Sequence, residues 1–185
     1  MNIYVVRHGQ TDYNVNGRYG GRLDVPLNYV GIKEAYEVKE KLKGIKFDLV
    51  FSSPLQRAYT TAQIITDEPI IRDDRIIERS NGDLEGKLKS EIKEKIDFND
   101  PNETRYNIEN ILDFRERIDD FWDDITNNLD VDNVLVVTHA GIGIYTRCYF
   151  EGEPQDNNYL SYKIKNCEVL KYEQKKKEKV KVYKL

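Results

Sequence analysis

The sequence contains two histidines, and each follows a run of β-branched residues: Val5-Val6-Arg7-His8-Gly9 and Val136-Val137-Thr138-His139-Ala140-Gly141. A third apolar run ends in Phe51-Ser52-Ser53-Pro54-Leu55-Gln56-Arg57. If these runs are parallel strands, their carboxyl ends share one sheet edge, where open α/β folds bind ligands. His8, His139, Arg7 and Arg57 then converge from distant parts of the chain. Ser53, Pro54 and Gln56 spell an N-cap, a proline at the first helical position and a capping box, which sets Arg57 in a first helical turn. A helix start beside guanidinium groups favours an anion, and the arginine fork suits phosphate. One imidazole could attack phosphorus while the other donates to the transferring oxygens. Such a scheme needs an acid for the leaving oxygen, and composition alone does not choose one.

Two other readings compete. Two histidines could ligate zinc, but the arginines would repel the cation and no third ligand has suitable spacing. They could also be satisfied core residues, although both end a strand near glycine. Metal is therefore not expected.

The elements that must position these residues are also visible. Ile3 to Val6, Phe47 to Phe51 and Val134 to Val137 read as short buried strands. Ile111, Phe114, Ile118, Phe121, Trp122 and Ile125 lie on one face of a long helix. Ile32, Ala35, Tyr36 and Leu42 predict another, with Gly44 as its stop. Tyr159 to Ile164, Cys167 to Tyr172 and Val180 to Tyr183 alternate like antiparallel or edge strands, with Lys175 to Lys179 as a solvated turn. Asp12 to Asn28 is long for a plain connection, and Asp97 to Asn107 could form a lid. The expectation is one α/β domain over residues 1–185, a three-layer α/β/α sandwich with a mostly parallel sheet.

Composition bounds the function. The chain has 185 residues, 29 Lys+Arg and 33 Asp+Glu, a net charge of −4. That balance argues against a nucleic-acid partner. No apolar run is long enough to span a membrane, and no signal peptide is visible. Two cysteines, Cys148 and Cys167, make no disulfide framework. A cytoplasmic protein is expected.

Four ordered motifs resemble the histidine phosphatase superfamily, the phosphoglycerate-mutase-like proteins. Arg7-His8-Gly9-Gln10-Thr11-Asp12-Tyr13-Asn14 is similar to its opening signature, and Gly17 to Asp24 to the loop that follows. Ser52 to Ala58, with Thr61 and Ala62, resembles its second arginine motif, and Val137 to Gly141 its second histidine motif. Glu78, Gly82, Glu85 and Gly86 keep the spacing of its acid motif. The resemblance implies His8 as the nucleophile that becomes phosphohistidine, with Arg7, Arg57 and His139 clamping the phosphoryl group. It implies Glu78 as general acid and base, and Thr11, Asn14, Gly20 and Gly21 as phosphate contacts. Gly9, Gln10, Asn81 and Ala140 join that binding set. Glu85 reads instead as structural.

The same resemblance implies a small phosphorylated metabolite as partner and no cofactor, with a 2,3-bisphosphoglycerate primer only in a mutase. Four departures favour hydrolysis over mutase activity. Gly20 stands where many members carry Gln or Ser, and Asn81 where an aromatic residue is common. The segment Lys87 to Asn107 lacks the longer basic insertion associated with mutases, and Asn102-Glu103-Thr104 only loosely resembles a phosphatase element. Arg18, Arg22, Arg79, Arg105 and Tyr106 are candidates for the non-phosphate end of the substrate. A non-catalytic phosphate-binding module is the third reading.

Overall fold

A computed structural model describes residues 1–174; the expected strand Val180 to Tyr183 and the turn Lys175 to Lys179 lie outside the described residues. The strands are β1 (Asn2–Arg7), β2 (Leu49–Ser52), β3 (Ile70–Arg72), β4 (Asn133–Thr138) and β5 (Val169–Glu173). They form one sheet in the order β3-β2-β4-β1-β5. The β1–β4, β2–β4 and β2–β3 pairs are parallel, and β5 runs antiparallel to β1. The fold is therefore the expected mixed α/β sandwich.

Alternation along the strands builds both outer layers. Ile3, Val5, Val134 and Val136 face α4 (Ile111–Asn128) and α5 (Ala140–Glu151), where Phe114, Ile118, Phe121, Trp122 and Ile142 complete a core. Tyr4, Val6, Leu135 and Val137 face α2 (Tyr29–Lys41) and α3 (Gln56–Ile65), packing on Ala35, Val38, Ala58 and Ala62. A short helix, α1 (Asp12–Val15), follows β1 directly.

Three local expectations are corrected. Helix α2 buries Gly31, Ala35 and Val38, whereas Ile32 and Tyr36 face outward, 39% and 56% exposed. The inner face is set by Gly31, whose missing side chain lets the helix lie against the Gln10 backbone. Helix α3 starts at Gln56 without a side-chain cap. Ser53 does not cap it; its hydroxyl meets His139, and Asp24 accepts the Gln56 N–H at 2.6 Å instead. Residues Tyr159–Tyr162 form a 3-10 turn rather than a strand, with Ile164 turned inward onto Gly143. Strand β3 escaped notice because three residues between Pro69 and Asp73 are too few to display a period.

Gly9 is held by packing: a Cβ there would stand 2.3 Å from the Gly31 carbonyl oxygen. The close approach of the β1–α1 turn to α2 depends on both glycines. We expect Gly9→Ala to destabilise the fold by about 1–3 kcal/mol, read by urea unfolding. Unchanged stability would contradict this packing role.

Candidate active site

Parallel register brings the chemistry together. Arg7 pairs with Thr138 across β1 and β4, and the His8 N–H donates to the Thr138 carbonyl at 2.9 Å. The Ser53 N–H donates to the Val137 carbonyl at 3.0 Å, which ties the end of β2 to the same edge. The two imidazole rings end 5.2 Å apart between centroids. His8, His139, Arg7 and Arg57 are all buried, at 8% exposure or less. Arg7, His8 and Arg57 line a cavity of about 470 Å³, as does Glu78, while His139 is fully buried beside His8 and is not part of the wall.

Hydrogen bonds fix the tautomers. His8 Nδ1 lies 2.7 Å from the Gly9 carbonyl, an acceptor, so Nδ1 carries the proton and Nε2 keeps its lone pair. His139 Nε2 lies 2.7 Å from Ser53 Oγ. Ser53 Oγ accepts the Leu55 N–H, and its own hydrogen has no other acceptor among the described residues; directing that hydrogen to Nε2 satisfies the hydroxyl and places the His139 proton on Nδ1. Burial, then Arg57 and Arg7, pushes His8 well below the usual histidine range. Burial, Arg57 and then His8 do the same to His139. Both rings are thus neutral near pH 7.

Two buried donors, His139 Nδ1 and Arg7 Nε, have no hydrogen-bond partner among the described residues. A buried unsatisfied donor costs about 1–3 kcal/mol. Phosphoryl oxygens are acceptors suited to both. Arg57 uses Nη1 and Nη2 on the carbonyls of Leu23 and Gly21, holding the loop after α1 over the site. Burial lowers both arginines from their ordinary value, and Glu78 opposes that shift in each.

Glu78 lies at the start of α5. Its Oε2 accepts the Gly141 N–H at 3.2 Å and its Oε1 the Arg79 N–H at 3.0 Å. Arg117 braces the neighbouring Ile77 carbonyl while paired with Glu109, and Arg22 shares that carboxylate. Thr11 and Asn14 form a reciprocal capping box at α1, and both line the cavity. Gly20, Gly21, Asn81 and Ala140 line it too. The two glycines are fixed through their carbonyls, which accept from Leu23 N and from Arg57.

Other expected contacts fall elsewhere. Gly9 and Gln10 are not in the cavity wall; the Gln10 N–H donates to Glu34, and its side chain meets Asn28. Arg18 and Arg79 line the cavity, but Arg22, Arg105 and Tyr106 do not, and Arg105 pairs with Glu103. Glu85 joins two loops, its Oε1 accepting from Arg22 N and Asn81 N. From the segment expected as a lid, Phe98 and Asn99 form wall, with Tyr145 donating to Asn99 at 2.8 Å. Among the described residues, no three His, Cys, Asp or Glu side chains are grouped to hold a metal ion.

Sequence reasoning missed Asn166. Its Nδ2 donates to the His8 carbonyl at 2.9 Å and to Asn14 Oδ1 at 3.2 Å. Asn14 Oδ1 also accepts Thr11 N, so the Asn14 amide is turned with its NH₂ away from these partners. Lys89, Lys163, Tyr19 and Tyr159 were also missed as cavity wall.

A profile of the Histidine phosphatase superfamily (branch 1) matches residues 3–184. The chain belongs to the histidine phosphatase superfamily. It is 32% identical over 141 residues to an uncharacterized phosphatase, PhoE, of Bacillus subtilis, covering 75% of this chain and 71% of that one. It is 40% identical to a 2,3-bisphosphoglycerate-dependent phosphoglycerate mutase of Mesorhizobium japonicum, over 101 residues, 50% of this chain and 49% of that protein. The crystal structure of an alpha-ribazole phosphatase from Shigella flexneri superposes with a TM-score of 0.82 at 25% identity, covering 92% of this chain and 89% of that one. With relatives named as phosphatases across most of its length, the chain is a phosphatase-type enzyme of this superfamily.

Neutral histidines carry a pH signature. Below about pH 6.5 the unfolded chain gains protons that the folded chain does not. Stability therefore falls with pH by up to about 1.4 kcal/mol per unit for each histidine. Nitrogen-15 spectra of the two imidazoles should remain those of neutral rings at pH 6. A midpoint near 6.5 for either ring would contradict the geometry.

Proposed function

We propose that this chain hydrolyses a small phosphomonoester through a phosphohistidine on His8, without a metal ion or cofactor. The observation that carries the reading is the His8 Nδ1–H to Gly9 carbonyl bond, which leaves Nε2 as the basic nitrogen beside two buried arginines. His8 Nε2 attacks phosphorus as the ester P–O bond breaks, and the leaving alkoxide takes a proton from the Glu78 carboxyl group. Arg7, Arg57 and the His139 Nδ1–H meet the charge spread over the phosphoryl oxygens. Water then gives a proton to the Glu78 carboxylate and attacks phosphorus. The N–P bond breaks, inorganic phosphate leaves, and His8 returns to its neutral form. Thr11, Asn14, Gly20, Gly21, Asn81 and Ala140 complete the binding surface.

A second reading is phosphoglycerate mutase activity, in which the phosphohistidine returns its phosphoryl group to a bound monophosphoglycerate. The likeness to the Mesorhizobium mutase favours it, but that likeness covers half of each chain. The phosphatase relative matches over more of both.

Inorganic phosphate release from a phosphomonoester panel, with chelator present, decides between the two. Release without added bisphosphoglycerate supports hydrolysis. Conversion of 3- to 2-phosphoglycerate dependent on that primer, with no release, would overturn it. We expect His8→Ala to lower turnover on the order of 10³-fold or more while the protein stays folded. For Glu78→Gln we expect a loss of about 10²-fold or more on alkyl phosphates, and a much smaller one on p-nitrophenyl phosphate. Equal losses on both would remove Glu78 from the acid role.

A further inference from the structure

The nucleophile is held through its backbone as well as its ring. The His8–Gly9 peptide is fixed on both sides: the Gly9 N–H donates to Thr61 Oγ1 at 3.1 Å, and the His8 carbonyl accepts from Asn166 Nδ2 at 2.9 Å. The Gly9 carbonyl just beyond that peptide is the acceptor that keeps the proton on His8 Nδ1. Whatever orients the peptide therefore orients the carbonyl that chooses the tautomer. Asn166 Nδ2 also donates to Asn14 Oδ1 at 3.2 Å, and the Thr11 N–H donates to the same oxygen at 3.1 Å. With both lone pairs of that oxygen engaged, the Asn14 NH₂ is the end left for the cavity, which Asn14 lines.

The turn that carries Asn166 is built for this reach. The Glu168 N–H donates to the Lys165 carbonyl at 3.2 Å, and Cys167, third in that turn, has a φ of +53°, a region disfavoured for a residue with a side chain. Three further bonds hold the turn in place. The Cys167 N–H donates to the Arg7 carbonyl at 3.0 Å, Arg7 Nη1 to the Ile164 carbonyl at 2.9 Å, and the Lys165 N–H to Glu168 Oε2 at 2.7 Å. Backbone kept in a costly conformation by its surroundings points to a task at that position. Here the turn grips the last residue of β1 and sets the Asn166 amide against the next one, His8.

We propose that Asn166 is a positioning residue for phosphoryl transfer: it fixes the His8–Gly9 peptide behind the nucleophile and turns the Asn14 amide to donate to the phosphoryl group. Both Nδ2 hydrogens are spent on these two acceptors, so Asn166 has no donor left for the phosphoryl oxygens and acts through His8 and Asn14. This rests on the phosphatase reading and adds a part played by the turn before β5. A misplaced nucleophile costs rate, up to about 10²-fold for an error of about 1 Å. A misdirected neutral donor costs affinity for the phosphoryl group instead, by about tenfold or less.

The test compares Asn166→Ala with Asn166→Asp, which keeps the shape but has no N–H to donate. On p-nitrophenyl phosphate, kcat/KM is expected to fall about 10- to 100-fold in both. In nitrogen-15 spectra, His8 Nδ1 and Nε2 are expected to move toward one another as its tautomers mix, while the His139 signals stay in place. Titration calorimetry with inorganic phosphate is expected to show severalfold weaker binding for Asn166→Ala, and almost no further weakening when Asn166→Ala is added to Asn14→Ala. Thermal unfolding checks the fold, and either folded Asn166 variant suffices for the kinetic and spectroscopic comparison. A kcat/KM within about twofold of the unmodified protein, an unchanged His8 spectrum, or a phosphate penalty of equal size with and without Asn14 would overturn the positioning role. Failure of both variants to fold would make Asn166 a structural residue and overturn it too. The His8 spectrum and phosphate binding need no turnover, so a protein that hydrolyses nothing fails the phosphatase reading while those two measurements still decide the role of Asn166.

Discussion

Two buried guanidinium groups and two buried imidazoles share one sheet edge, and the surrounding structure follows from keeping that cluster dry and electrostatically tolerable. Four cations packed together would be prohibitive. The imidazoles stay neutral because burial and Arg57 both oppose their protonation. Neutrality in turn leaves each ring one donor and one acceptor. Gly9 and Ser53 decide which nitrogen is which. The nucleophilic lone pair on His8 and the donor on His139 are consequences of the same constraint.

That cluster is held from three directions. Parallel pairing of β1 with β4 fixes the spacing of the two histidines. The Arg57 fork pins the loop at Gly21 and Leu23, forming one wall. From the carboxyl-terminal side, Arg7 donates to the Ile164 carbonyl, Cys167 N donates to the Arg7 carbonyl, and Asn166 holds the His8 carbonyl. Glu78 sits opposite, over the first turn of α5, with Arg117 and Glu109 behind it. The only carboxylate in a cationic cavity wall, among the described residues, is thus oriented by backbone amides and buttressed by an ion pair.

Much of this was legible in the sequence because it is local. Strand ends rich in Val, with His or Arg one or two residues beyond, imply convergence once the strands are parallel. Motif spacing extends that to Glu78. What was not legible depends on distant pairing. Asn166 acts on His8 across 158 residues, and nothing beside it in the chain announces the contact. Ser53 read as a helix cap because its neighbours fit that grammar, yet its hydroxyl serves His139. Tyr159 to Ile164 places Tyr159, Leu160 and Lys163 on the cavity and only Ile164 in the core, and a run this short does not separate a 3-10 turn from a half-buried strand. The close packing of Gly9 on the Gly31 backbone was hidden in the sequence for the same reason as the Asn166 contact.

The central claim is that His8 Nε2 carries the phosphoryl group. Alkaline-quench or rapid-freeze trapping with a phosphorus-32-labelled or slowly hydrolysed phosphomonoester, followed by peptide mapping at alkaline pH and phosphorus-31 spectroscopy, addresses it directly. The account predicts an acid-labile, base-stable phosphoramidate on the peptide containing His8, with the shift of the Nε2 isomer. Label on His139, an acyl phosphate on a carboxylate, or hydrolysis at full rate with no phosphoenzyme would contradict it.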